Sequence, residues 1–145
     1  MDLRTRIAKD FLILDGGMGT LLQGAGLQSG EYPERWNVTH PEVIRQIHED
    51  YLAAGSDVIS ANTFGANSLK FSEDELDSLV RAAIENARTA IGDLEDKYVA
   101  LDIGPTGRLL RPLGDFDFED SVEVFAKTVR LGAKYGADLD RKSVV

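Results

Sequence analysis

One carboxylate in this chain stands where it could grip a small molecule. Asp15 ends the apolar run Phe11-Leu12-Ile13-Leu14 and is followed at once by Gly16, Gly17, Met18 and Gly19. A short apolar run bounded by glycines reads as a strand buried on both faces. The glycines free the backbone to turn sharply and to present N–H groups to a small ligand. Asp15 then lies at the carboxyl end of the strand, where α/β folds keep their chemistry. A second pair, Asn62 and Thr63, closes a later apolar segment. Its side chains serve equally well as turn residues that cap free backbone groups.

Other groupings carry less. The spacing G-G-x-G is not the G-x-G-x-x-G of a dinucleotide site, and no Gly-Lys-Ser/Thr follows, so a phosphate cradle is not indicated. The two histidines do not make a metal pair. His40 falls in the first turn of a helix, and His48 lies within it beside Glu49 and Asp50, on a face expected to be solvated. Glu73, Asp74, Glu75 and Asp77 form one acidic group, and Asp115, Asp117, Glu119 and Asp120 another. Both sit at helix N-termini, where negative charge complements the dipole, and neither is read as a metal site. With no cysteine the chain has no disulfide, no thiolate nucleophile and no cysteine-based zinc site.

The elements that must position these residues alternate. A strand over about 11–15 runs into the glycine turn; Thr20 to Gln23 begin a helix, and the next stretch, through Asn37, reads mostly as loop. That loop holds Tyr32, Pro33 and Trp36, bulky groups not expected to stay in water, and loops this long are often functional. Thr39 with Glu42 forms a capping box and Pro41 fits the first turn of a helix whose apolar face is Val43, Ile44, Ile47, Tyr51 and Leu52. Ser56 to Thr63 is the next strand. Ser72 with Glu75 starts a second long helix that stops at Gly92. Tyr98 to Ile103 is a third strand, ending in the turn Gly104-Pro105-Thr106-Gly107. Asp117 caps a third helix with Phe118, Val122, Phe125, Val129 and Ala133 facing inward, and Ala137-Asp138-Leu139 opens a fourth strand. The order implies a parallel α/β sheet with right-handed crossovers, which a barrel and an open doubly wound sheet both satisfy.

Composition bounds the setting. The chain has 145 residues, of which 43% are hydrophobic, enough for a substantial core. A formal charge of −9 with scattered basic residues argues against nucleic acid or an anionic membrane as partner. The N-terminus lacks the apolar stretch of a signal peptide and no window reaches membrane-spanning length, so the expected location is cytoplasmic.

Three separated stretches in fixed order resemble the homocysteine S-methyltransferase family: DGGMGT at 15–20, YPERWNVTHPEVIRQIHEDYLAAGSDVISANTFGAN at 32–67 and DIGPTGRLLRPLGDFDFED at 102–120. Within the family the resemblance is strongest to the homocysteine-binding modules of cobalamin-dependent methionine synthases, and it spans residues 1–139. It implies the N-terminal half of a (β/α)8 TIM barrel, truncated near its fourth strand. It also implies substrate-binding roles for Asp15, Gly16, Gly17, Asn62, Thr63, Asp102 and Gly104. Asp15 would approach the ammonium group of homocysteine, and the Gly16 and Gly17 N–H groups would suit its carboxylate.

The reaction so implied is methyl transfer to the homocysteine sulfur, giving methionine. A thiol of pKa about 8.5 is only a few per cent ionised at neutral pH, and in the family a zinc ion held by three cysteines from later strands ionises it. This chain, lacking cysteine, is expected to stop before those ligands and to be inactive alone. Methylcobalamin is the expected methyl carrier, and the partners are homocysteine and downstream folate and cobalamin modules. Other donors within the family, S-methylmethionine or betaine, or a barrel fused to a folate reductase, stay open, as does a non-catalytic small-molecule-binding α/β domain. The ending DRKSVV, residues 140–145, resembles the in-frame translation of a sequencing-adapter oligonucleotide and is expected to be non-native.

Overall fold

The computed structural model describes residues 1–142. Helices α1 (Leu3–Ile7), α2 (Gly19–Gly24), α3 (Trp36–Thr39) and α4 (Pro41–Ala53) precede strand β1 (Val58–Ala61). Helix α5 (Glu73–Ile91), strand β2 (Tyr98–Ile103), helix α6 (Phe118–Tyr135) and strand β3 (Leu139–Lys142) follow. The strands run parallel in the order β1-β2-β3, with Val58 opposite Tyr98 and Ala100 opposite Leu139. Residues 11–15 join the free edge of β1 through a single bridge, Leu14 to Val58. Successive segments therefore lie side by side in chain order, with no reversal.

Side-chain alternation along the strands divides the core in two. Ile59, Ala61, Val99, Leu101 and Ile103 pack on Leu76, Val80, Ala83, Ile84 and Ala87 of α5. Val58, Tyr98 and Ala100 face the other way, against Leu3 and Leu12. Helix α5 forms where its cap dictates: the Glu75 N–H donates to Ser72 Oγ at 3.3 Å, with Glu73, Asp74 and Glu75 in the first turn. Among the described residues no helix is long and apolar enough to cross a membrane.

Several local expectations are overturned. The 11–15 segment is not buried on both faces, since Phe11 and Ile13 are 89% and 59% exposed. Its ladder is filled on one side: the Asp15 N–H donates to Val58 O at 3.0 Å and the Val58 N–H to Ile13 O at 3.1 Å. No described segment pairs with its other edge. The stretch up to Asn37 is less a loop than expected, because a 3-10 turn at Pro33–Arg35 leads directly into α3. Trp36 is buried there, whereas Tyr32 stays 38% exposed. With Thr39 already helical, the Thr39–Glu42 box does not form. His40 is the N-cap of α4 without a side-chain bond, and Thr39 Oγ1 donates back to Arg35 O at 3.2 Å. Asp117 is the N-cap of α6 but makes no capping bond; its carboxylate lies 3.3 Å from Arg111 Nη1.

Two helix faces differ from what the sequence pattern implies. His48 is fully buried, not solvated. In α6 the buried residues are Ser121, Val124, Thr128 and Gly132, while Phe118, Val122 and Val129 look outward. The cause is close approach. A Cβ on Gly132 would lie 2.6 Å from Leu101 Cδ2, and Thr128 Oγ1 reaches Ala66 O at 2.9 Å. Small side chains let the helix sit on the sheet, so Phe118, Val122 and Val129 turn away from it, while Val124 is buried and Phe125, as expected, packs half-buried against the core.

The fourth strand opens where the sequence suggests and continues further. Asp140, Arg141 and Lys142 pair with Leu101, Asp102 and Ile103. The last residues of the ending expected to be non-native, Ser143 to Val145, lie outside the described residues.

Candidate functional site

The carboxyl ends of the 11–15 segment, β1 and β2 open on one cleft of about 490 Å³, in the size range of small-ligand sites. Asp15 lines it half-buried, held from both sides by one residue of β1. Ser60 N–H donates to Asp15 Oδ2 at 2.7 Å and Ser60 Oγ donates to Oδ1 at 2.8 Å. Burial pushes the Asp15 carboxyl above its ordinary value; the Ser60 donors and the Arg141 guanidinium pull it part of the way back. A carboxylate has about four acceptor positions, so each oxygen retains one for a ligand.

The glycine turn is clamped from α4. Tyr51 Oη donates to Gly17 O at 2.8 Å, and a Cβ on Gly16 would meet that hydroxyl at 2.8 Å, so residue 16 has no room for a side chain. Gly16 and Gly17 both line the cleft. Among the described residues, no acceptor meets their N–H groups.

Asn62 and Thr63 also line the cleft, with their side chains committed to protein partners. Asn62 Nδ2 donates to Pro33 O and to Asn37 Oδ1, both at 2.9 Å. Asn37 Nδ2 returns a bond to Asn62 O at 2.9 Å, Asn86 Nδ2 donates to Asn37 O at 2.9 Å, and Arg45 Nε donates to Asn86 Oδ1 at 3.0 Å. This buried polar chain fixes the end of β1 against α3, α4 and α5. Thr63 Oγ1 donates to Asp102 O at 2.8 Å and accepts from the Asp102 N–H at 3.1 Å, extending the β1–β2 ladder through a side chain. Asp102 faces the cleft, whereas Gly104 is not among its lining residues. Gly104 N–H donates to Phe64 O at 2.9 Å, and a Cβ on it would collide with that carbonyl. Its place is in joining two loops.

Ser60 and Glu34 line the cleft and Tyr51 braces its glycine turn, and sequence reasoning assigned none of the three to the site. Ser60 carried a usable signal: it is two residues beyond Val58 in a parallel strand and so shares the face that meets Asp15. Tyr51 and Glu34 act across the fold and carried none.

A family model described as homocysteine S-methyltransferase matches residues 12–140. The chain belongs to that family. Its fold matches crystal structures of the homocysteine methyltransferase MmuM from Escherichia coli. The metallated form aligns with a TM-score of 0.80 at 24% identity, over 97% of this chain and 56% of that one. The oxidized form gives 0.77 at 26% identity, over 95% and 55%. The chain thus spans about half the length of these relatives. It has no cysteine, and among the described residues no three His, Cys, Asp or Glu are grouped to hold an ion. The residues present do not fit a thiolate zinc site.

Proposed function

We propose that the cleft binds homocysteine and that the whole protein transfers a methyl group to its sulfur, forming methionine. The observation that carries this reading is the juxtaposition, in a chain of this family, of Asp15 with the open amides of Gly16 and Gly17. Carboxylate and amides together suit the ammonium and carboxylate of an amino acid. Asn62, Thr63 and Asp102 form the wall beside it, and Gly104 supports that wall from outside. In this reading the chain is the first part of a closed (β/α)8 barrel, to which the unreversed strand order is well suited. Sulfur activation falls to zinc held by residues outside this chain, and the methyl group arrives on methylcobalamin from a downstream module in a cytoplasmic protein. Residues 1–139 are the family's own part and 140–145 a non-native ending. The β3 ladder does not oppose that, because backbone groups make it whatever the side chains.

The test is calorimetric titration of the chain with homocysteine. Binding is expected, and Asp15→Asn should weaken it about tenfold or more, the usual worth of a charge-assisted hydrogen bond. Equal affinity of the two proteins refutes the assignment.

A further inference from the structure

The turn after Asp15 is held by a side chain that does not itself line the cleft. Tyr51 is half-buried and packs against both larger core clusters, so its ring is fixed from two sides. It meets the turn twice. A Cβ on Gly16 would lie 2.8 Å from Tyr51 Oη and 3.3 Å from Cε1, which places the ring against the backbone of residue 16. The hydroxyl then donates to Gly17 O at 2.8 Å.

Close approach, rather than backbone freedom, is what requires glycine at position 16. Neither Gly16 nor Gly17 has a φ in the left-handed region. On one side of the turn the Asp15 N–H pairs with Val58 O, and on the other α2 starts at Gly19. Between them, among the described residues, no acceptor meets the N–H groups of Gly16, Gly17 or Met18. The two Tyr51 contacts, at Gly16 Cα and at the Gly17 carbonyl, bracket the peptide unit that carries the Gly17 N–H. In a planar trans peptide the Met18 N–H lies opposite Gly17 C=O and so points away from Tyr51. Glycine loses more conformational freedom on ordering than any other residue, so a turn already ordered before a ligand arrives binds it more tightly.

We propose that Tyr51 is a positioning residue for the carboxylate of the amino acid in the cleft: its hydroxyl holds the glycine turn so that the backbone amides stay set for that group. The proposal rests on the reading of the cleft as the homocysteine site and adds to it what fixes one pole of that site. The fold by itself asks for less, an aromatic ring packed over Gly16, which phenylalanine supplies. A hydroxyl at a half-buried position is within reach of water and does not need the Gly17 carbonyl for its own sake. Tyr51→Phe keeps the ring and removes the bond.

Titrations compare homocysteine with two analogues that each keep one pole, on the unsubstituted chain and on Y51F. 4-Mercaptobutanoate keeps the carboxylate and 3-aminopropane-1-thiol keeps the ammonium group. The expected result in Y51F is about a threefold to tenfold loss of affinity for homocysteine and for 4-mercaptobutanoate, with 3-aminopropane-1-thiol unchanged. Equal homocysteine affinity in the two proteins overturns the proposal and leaves Tyr51 as a packing residue. So does an equal loss for all three thiols, which marks a general loosening of the cleft. Failure of the unsubstituted chain to bind homocysteine overturns the reading of the cleft itself, and this inference with it. Where the analogues bind too weakly to compare, relaxation of the Gly16 and Gly17 amides in nitrogen-15 glycine NMR decides. Greater mobility of these two amides in ligand-free Y51F supports the proposal, and unchanged mobility overturns it.

Discussion

His48 should make this protein lose stability on mild acidification, in a pH range where carboxylates contribute little. The ring is fully buried in α4 and, among the described residues, neither nitrogen has a hydrogen-bond partner. Desolvation lowers its pKa from 6.5 to about 4. The unfolded chain, with the ordinary value, takes up a proton that the folded chain refuses, so stability falls as pH drops from 6.5 toward 4 and is unaffected above that window. The difference amounts to about 3 kcal/mol when complete, and to about 1 kcal/mol near pH 5.5. Carboxylates held low by partners, such as Asp77 beside Tyr135 and Lys134, lose their contribution only below their ordinary 3.8. The perturbation is His48→Leu, which has similar volume and no polar atoms. Urea unfolding is measured for both proteins near pH 7.5, 5.5 and 4.5. Subtracting the two series cancels every other titrating group, including Asp15, whose raised pKa acts in the opposite direction. H48L should be at least as stable at neutral pH and should pull ahead as the solution is acidified. Parallel curves for the two proteins would refute the reasoning, because a histidine that ionises freely in the folded state gives no such divergence.

Two further outcomes are expected. Gly132→Ala places a methyl group 2.6 Å from Leu101 Cδ2 and should cost about 1–3 kcal/mol by overpacking, measured by chemical denaturation; an unchanged midpoint would mean α6 does not press on the sheet as described. The outward apolar row Phe118, Val122 and Val129, with exposed Phe11 and Ile13, should drive self-association of the isolated chain. Sedimentation at rising concentration should detect oligomers that a V122S/V129S variant reduces, and a sharp monomer for the unsubstituted chain contradicts this.

What the sequence made legible follows from what is local. The α5 cap depends on residues three apart, Ser72 and Glu75, and its apolar face on a helical period, so the helix was read closely. The parallel alternation of strands and helices was legible for the same reason. The inward face of α6 was not, because hydrophobicity alone nominates Phe118, Val122 and Val129. The choice was made instead by the distance between helix and sheet, which only small residues permit. His48 is a different case: its neighbours Glu49 and Asp50 are charged, but it is buried with Ile44 and Ile47 on the inner face of α4.

The cleft divides along the same line. Asp15 and its glycines were legible because a strand-end carboxylate beside a flexible turn is a pattern within one short stretch. The residues that give Asp15 its properties come from elsewhere in the chain: Ser60 lies 45 positions away and Tyr51 reaches Gly17 over 34. Asn62 and Thr63 line the cleft, yet their side chains stitch β1 to its surroundings, the alternative that the sequence leaves open. A strand-end polar residue in a parallel sheet has two possible employers, the ligand and the loose backbone beyond the ladder. Where the backbone lies within hydrogen-bond reach it takes the side chain first, since its unpaired groups are present at all times. The groups left over for a ligand are those the backbone does not fill: the remaining lone pairs of Asp15 and the amides of Gly16 and Gly17.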